Sequence, residues 1–274
     1  MPNLNSAFAR LAASPRMPAL FVGHGSPMNA IENNCFSQKW QEAAARITKP
    51  RAILCISAHW ETNGTFVTAM PHPRTIHDFG GFPAELYEKN YPAPGDPLLA
   101  KECCDLIATT KVGFDDCWGF DHGAWSVLCR MYPNADIPVV QLSLDRSGLA
   151  QHHYALAKEL APLRESGILI IGSGNMVHNL GRIEIRGSDF NAPFGFDWAL
   201  SANDLFKRLL QERRHAELID YRSLGNAARL AIPTNEHYLP MLYAIALQRE
   251  DETISFFNDA PVAGSLTMTS FAIG

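Results

Sequence analysis

The stretch ILIIGSGNMVHN (residues 168–179) decides the fold class. Its first four residues are all apolar, as in a strand covered on both faces, and glycines and a histidine follow. Three other short runs have the same character, namely Pro18–Val22, Ala52–Ser57 and Ile137–Leu142. Strands buried on both faces are typical of a parallel sheet that lies between layers of helices.

Helical patterns lie between and after these runs, and the alternation of strand and helix predicts an α/β protein. Asp96 is a candidate N-cap, and Pro97 is suited to the first helical position. Near the C-terminus, Thr253–Phe257 and Ser265–Ile273 predict two further strands, an antiparallel pair at an edge of the sheet. The predicted helices are Ser37–Ile47, Pro97–Ala108, Ala150–Leu163, Asp197–Arg213 and Tyr238–Leu247.

Length and composition fit such a domain and exclude several classes of protein. The chain has 274 residues, of which 47% are hydrophobic and 19% charged, so it is globular. A net charge of −5 offers no basic surface for nucleic acid, and no apolar run is long enough to span a membrane. The six cysteines lack the spacing of a disulfide framework, which predicts reduced thiols in the cytoplasm.

We predict one domain over residues 17–274 with a central, largely parallel or mixed sheet flanked by helices. Residues 1–16 are expected to form a flexible segment, since they lack the apolar core of a signal peptide. Their two arginines and their serines, without acids, also fit a transit peptide. The loop at residues 70–97 is rich in proline and aromatic residues and is either a lid or pocket wall or a structured surface excursion.

Histidines follow three of the predicted strands. His24 follows the first, His59 the second, and His178 the fourth. Because ligand sites form at the carboxyl ends of parallel strands, we expect these side chains to lie together. His237 precedes the last predicted helix, whose start would complete the cluster if it faces the same edge. Neutral imidazole is the commonest metal ligand, so this pattern predicts a mononuclear metal site.

The other histidines carry a weaker positional argument. His122 begins a predicted helix and either caps and packs it or contacts the substrate. His77 lies in the aromatic loop beside Asp78, where it could reach a substrate. His152 and His153 lie near a helix start and are expected to be exposed.

Six motifs, in order along the chain, resemble the class III extradiol ring-cleaving dioxygenases (the LigB superfamily), in the branch of the 4,5-DOPA extradiol dioxygenase-like proteins. The resemblance runs from about residue 18 to the C-terminus. The motifs are HGSP (24–27), SAHW (57–60), IHDFGGFP (76–83), DHGAW (121–125), GSGNMVHN (172–179) and NEHYLP (235–240).

The resemblance implies one mononuclear metal ion, Fe(II) for activity, with Zn(II) also found in members of this branch. It implies His24, His59 and His237 as ligands, and His178 as an acid/base residue that can itself touch the metal. Better-known members use two histidines and one glutamate, and here Glu236 stands beside His237 as the alternative third ligand.

The resemblance also implies roles around the metal. His122 would be a catalytic residue that assists substrate or oxygen. His77, Phe79 and Phe82 would contact the substrate, the two phenylalanines by stacking on its ring and shielding it.

The implied reaction is extradiol cleavage of a catechol such as DOPA, with both atoms of O₂ inserted and a ring-opened semialdehyde formed. The partners are then small molecules, with no nucleic acid and no membrane. A zinc-dependent hydrolase and a non-enzymatic binding homologue are the alternatives. The sequence leaves the particular catechol, the metal occupancy and the oligomeric state open.

Overall fold

The computed structural model describes residues 15–187 and 189–274. The predicted flexible segment at 1–16 falls almost wholly outside these residues, so it stays a prediction, as does the domain boundary at residue 17. Within the described part, the Arg16 guanidinium pairs with the carboxylates of Glu165, Asp251 and Glu252. No helix of the described part is long and apolar enough to cross a bilayer.

The strands define one large sheet and three two-stranded pairs. In chain order they are β1 (Ala19–Gly23), β2 (Ala52–Ser57), β3 (Glu61–Thr62), β4 (Thr65–Thr68), β5 (Val112–Asp115), β6 (Val139–Gln141), β7 (Leu144–Asp145), β8 (Ile168–Gly174), β9 (Ile254–Phe257), β10 (Pro261–Val262), β11 (Leu266–Thr267) and β12 (Ser270–Ile273).

Helices surround the large sheet. They are α1 (Cys35–Ala45), α2 (Ala84–Tyr87), α3 (Pro97–Leu106), α4 (His122–Met131), α5 (Ala150–Glu159), α6 (Ala161–Glu165), α7 (Asp197–Gln211), α8 (His215–Ile219), α9 (Asn226–Ala231) and α10 (Leu239–Ala246). Short 3-10 helices lie at Pro27–Ala30, Leu180–Arg182 and Tyr221–Ser223.

The central sheet is mixed, in the order β6-β2-β8-β1-β12-β9. The strands β6, β2, β8 and β1 run parallel, β12 pairs antiparallel with β1, and β9 pairs antiparallel with β12. Every residue of β1, β2 and β8 is buried. The predicted fold class and the predicted antiparallel pair are therefore confirmed.

Alternate residues of β8 contribute to two separate hydrophobic cores. Ile168 and Ile170 pack into a core that contains residues of α5, α7 and α10. Leu169 and Ile171 pack into a second core that contains residues of α1 and α4. Because side chains alternate along a strand, these two cores lie on opposite faces of the sheet.

The structure corrects three details of the prediction. The predicted helix at 150–163 is two helices, α5 and α6, because Pro162 has no N–H to continue the first. The predicted strand at 265–273 is divided into β11, which pairs with β10, and β12, which pairs with β1 and β9. His153 was expected to be exposed and is fully buried.

Hydrogen-bonding partners outside its own helix explain the burial of His153. Its Nδ1 lies 3.0 Å from the hydroxyl of Tyr243, and its Nε2 lies 3.2 Å from the carbonyl oxygen of Asp145. Both ring nitrogens therefore have hydrogen-bonding partners inside the protein, and these bonds offset the cost of removing the polar ring from water.

Candidate metal centre

Three of the predicted histidines meet at the carboxyl edge of the sheet. His24 directly follows β1, His59 lies two residues after β2, and His237 lies two residues before α10. The Nε2 atoms of His24 and His59 are 3.2 Å apart. One ring nitrogen from each of the three lies within 4.8 Å of the other two, which is close enough for a single cation to bind all three.

Two glycines of β8 allow the segment that carries His237 to reach this edge. A Cβ atom on Gly174 would lie 2.1 Å from the carbonyl oxygen of His237, and one on Gly172 would lie 2.2 Å from that of Pro240. The backbone N–H of Asn175 donates to the carbonyl of His237 at 2.9 Å. Only glycine permits this backbone contact, which explains the pattern GSGN after the apolar run.

Each of the three histidines has its Nδ1 near a polar partner. The Ser173 hydroxyl donates to the carbonyl of Gly123, so its lone pair accepts from Nδ1 of His24 at 3.0 Å. Nδ1 of His237 lies 3.1 Å from the Glu236 carboxylate. These partners fix the tautomer that leaves Nε2 free to bind a metal.

Nδ1 of His59 faces a third partner, since it lies 3.4 Å from Oδ2 of Asp78. Asp78 had no predicted role, although it lies in a motif that was noted. Its Oδ1 accepts from the backbone N–H of His122 at 2.8 Å, and its Oδ2 lies 3.0 Å from Nδ1 of His122. One carboxylate thus contacts both histidines, whose ring centroids are 3.8 Å apart.

Burial keeps the imidazoles of this cluster neutral. It lowers the pKa of His24 and of His237 well below the usual value, and the neighbouring histidines lower both further. Burial is the main cause that lowers the pKa of His59 to about 3, and the nearby His122 adds to it. Asp78 and Glu236 oppose this shift. Neutral imidazoles that present free nitrogen lone pairs are the form that binds metals.

A buried carboxylate supports the start of α4. Asp121 is the N-cap of this helix and accepts from the backbone N–H of Ala124, from the hydroxyl of Ser57 and from the side-chain amide of Gln141. Burial raises its pKa. Because Asp121 precedes His122, these bonds anchor the backbone that carries the His122 ring.

His178 lies beside the three histidines. Its ring stacks on that of His237, with the centroids 3.4 Å apart and the planes 7° apart. Burial lowers the pKa of His178 to about 4, and the nearby Glu236 opposes this shift. His178, Glu236 and His237 also have ligand atoms within 4.8 Å of one another.

A cavity of about 510 Å³ opens beside the histidines. The aromatic loop forms part of its wall, since Asp78, Phe79 and Phe82 line it and the two phenylalanine rings pack edge to face. The other lining residues are His24, Gly25, Ser26, Pro27, Met28, His59, His122, His178, Leu180, Ile183, Phe190, His237 and Leu266.

His77 does not line this cavity. Its Nε2 lies 2.9 Å from the carbonyl oxygen of Lys89, and its ring packs against Phe79 and Trp125. The structure therefore places His77 behind the cavity wall, in contact with Phe79.

A family model described as the catalytic LigB subunit of aromatic ring-opening dioxygenase matches residues 14–260. The chain belongs to this LigB family. As a member, it is an extradiol aromatic ring-opening dioxygenase, which confirms the predicted class of enzyme. The enzymes of this family depend on a metal, and the cluster of neutral nitrogen donors fits such an ion.

Relatives of this LigB-family chain support the assignment over nearly its whole length. The "4,5-DOPA dioxygenase extradiol" of Escherichia coli K12 is 46% identical, over 96% of this chain and 97% of the relative. The protein of the same name from Beta vulgaris is 38% identical, over 92% of this chain and 94% of the relative. The crystal structure of an uncharacterized protein from E. coli K12 matches with a TM-score of 0.82 and 41% identity, covering 94% of this chain and all of that one.

Proposed function

We propose that this LigB-family dioxygenase binds one Fe(II) ion through Nε2 of His24, His59 and His237 and cleaves a catechol beside its diol. The observation that carries the proposal is the convergence of three neutral imidazoles at one end of a cavity of about 510 Å³. A cavity of this size is suited to a small aromatic molecule. Relatives named for 4,5-DOPA make a DOPA-type catechol the first substrate to test.

The contacts of these two residues favour His237 as the third ligand and Glu236 as the residue that orients it. The Glu236 carboxylate accepts from the hydroxyl of Thr234 and lies beside Nδ1 of His237, opposite the nitrogen that is free. Three imidazoles without a carboxylate also suit Zn(II), so we expect zinc to compete with iron during purification. When bound, Fe(II) would offer open positions to the diol and to O₂ and would acidify the diol hydroxyls.

His178 would move the protons. With its pKa lowered to about 4, its ring is neutral at pH 7, lines the cavity, and can accept a proton from a diol hydroxyl and later return it. The stack on His237 holds the ring beside the metal site. If His178 itself bound the metal, it would be a fourth ligand rather than an acid/base group.

The remaining residues would bind and shield the substrate. His122, with its Nδ1 held by Asp78, keeps Nε2 available to a bound diol or to oxygen. Phe79 and Phe82 would stack on the aromatic ring and exclude water. His77 would act on the substrate only through Phe79, against which it packs.

The decisive experiment loads the metal-free protein with Fe(II) without oxygen, adds a catechol, and then admits O₂. We expect O₂ uptake that matches the formation of a yellow ring-opened product. The zinc-loaded protein and the variant His24→Ala are the controls, and both should be inactive. No O₂ uptake with any member of a broad catechol panel would overturn the proposal. The cytoplasmic location stays a prediction.

A further inference from the structure

The wall of the cavity has no positively charged Lys or Arg side chain among the described residues that line it. Among the described residues of this wall, the Asp78 carboxylate carries the formal negative charge. The outer part is apolar: Leu180 and Ile183 are 61% and 36% exposed, so they lie at the opening. A substituent that extends from a metal-bound ring toward the opening therefore meets apolar side chains.

A second carboxylate lies near the same histidines. A carboxylate oxygen of Glu236 lies within 4.8 Å of a ring nitrogen of His178. Asp78 and Glu236 thus place two negative charges beside the histidines.

Three arginines lie near the cavity-lining residues in the sequence. Arg182 lines a separate surface depression with Ile183 and Glu184. Arg186 pairs with Glu184 and packs over the ring of Phe194. The guanidinium of Arg130 donates to two backbone carbonyl oxygens. None of these three arginines lines the cavity.

We propose that this site selects catechols whose side chain carries an ammonium group or no charge, and that it discriminates against a side chain that carries only a carboxylate. The inference rests on the proposed catechol cleavage. Asp78 and Glu236 already balance the charge of a divalent ion, and a bound diol that has lost a proton leaves the site negative. This negative charge repels a further carboxylate and attracts an ammonium group.

Three catechols with two-methylene tails test the proposal because they differ mainly in charge. Dopamine ends in ammonium, 4-propylcatechol in methyl, and 3-(3,4-dihydroxyphenyl)propanoate in carboxylate. With the Fe(II)-loaded enzyme at low salt, we expect kcat/KM for the propanoate to be lower than for either of the others by about tenfold or more. High salt should reduce this ratio, because screening weakens charge interactions but leaves steric effects unchanged.

A positive charge placed at the opening should change the relative kcat/KM values of these catechols. Leu180→Lys should raise kcat/KM for the propanoate relative to 4-propylcatechol, whereas Leu180→Gln adds polarity without charge and should keep the original order. Leu149 is 74% exposed and does not line the cavity, so Leu149→Lys controls for the change in net charge. An unchanged ratio in Leu180→Lys would contradict the proposal.

Failure of the inference is distinguishable from failure of the proposed reaction. If 4-propylcatechol is cleaved but the propanoate is cleaved equally well, only the inference fails. If no catechol is cleaved, the inference is tested by binding instead. Calorimetry then measures the anaerobic binding of the same three compounds to the zinc-loaded protein. Weakest binding of the propanoate supports the inference, and equal or tighter binding of the propanoate overturns it.

Discussion

Oδ2 of Asp78 lies 3.0 Å from Nδ1 of His122, and the same oxygen lies 3.4 Å from Nδ1 of His59. Burial raises the pKa of Asp78, but the hydrogen bond and charge of His122, together with the nearby His59, outweigh this effect. The pKa of Asp78 is therefore lowered. An ionised carboxylate in this position favours the tautomers in which both rings keep Nε2 free. The candidate metal site and the cavity wall are therefore linked through one side chain of the aromatic loop.

Replacing Asp78 should weaken metal binding without removing a ligand. For Asp78→Asn we expect a loss of metal affinity of about tenfold to a hundredfold, because the partner that orients His59 becomes a poorer acceptor. Competition with a chelator measures this directly. Asp116→Asn, at an exposed position, is the matched control and should bind metal normally. Equal affinities in the two variants would show that Asp78 does not orient the ligand.

The proposed roles of the histidines separate metal binding from turnover. His59→Ala should lose the metal, whereas His178→Ala should keep it and lose about 10²–10⁴-fold in kcat, as is usual when an acid/base group is removed. Metal content by mass spectrometry and O₂ uptake distinguish the two effects. Comparable metal loss in His178→Ala would make His178 a fourth ligand.

The pair Glu236 and His237 allows a direct test of the third ligand. We expect Glu236→Gln to reduce metal affinity by about tenfold, as an orienting partner does, and His237→Ala to abolish it. Chelator competition measures both variants under the same conditions. The opposite order would identify Glu236 as the ligand.

The metal-free protein should lose stability as the pH falls below about 6.5. The unfolded chain gains protons on its histidines there, but burial lowers the pKa of folded His153 to about 4, so the folded state stays deprotonated and stability rises with pH over this window. His153 alone should contribute roughly 3 kcal/mol to the difference between pH 4 and pH 7.

Urea unfolding at several pH values between 4 and 7 measures this effect. His153→Gln removes one titrating group, so its free energy of unfolding should depend less steeply on pH than that of the parent protein. Identical slopes would mean that His153 does not remain neutral in the folded state.

Gly174 should be intolerant of any side chain. Gly174→Ala places a Cβ atom 2.1 Å from the carbonyl oxygen of His237, so the segment must move. We expect a loss of about 1–3 kcal/mol in the free energy of unfolding together with weaker metal binding. Gly80→Ala is the control, since a Cβ there meets nothing within 4 Å. Normal metal affinity in Gly174→Ala would show that His237 does not depend on this contact.

The positions of the strands and of the clustered histidines could be predicted because each rests on a local pattern. Short apolar runs identified the parallel strands, and the rule for the carboxyl edge placed His24 and His59 together. The partners of these histidines could not be predicted in the same way. The bond between His24 and Ser173 spans 149 positions in the sequence, and that between Asp78 and His122 spans 44.

The same reason explains the errors. The burial of His153 depends on Tyr243, which lies 90 positions away. The division into β11 and β12 follows from their different partners, β10 for the first and β1 and β9 for the second, which no periodicity shows. Helix and strand types follow from local sequence, whereas such contacts follow from tertiary packing.

The position of Asp78 beside Phe79 limits how this enzyme can be engineered. Widening the entrance by rebuilding the aromatic loop would also disturb the carboxylate that contacts His59 and His122. The other part of the wall, at Leu180, Ile183 and Phe190, consists of apolar side chains that make no hydrogen bond to a histidine. Libraries that seek bulkier substrates should therefore vary these three positions first.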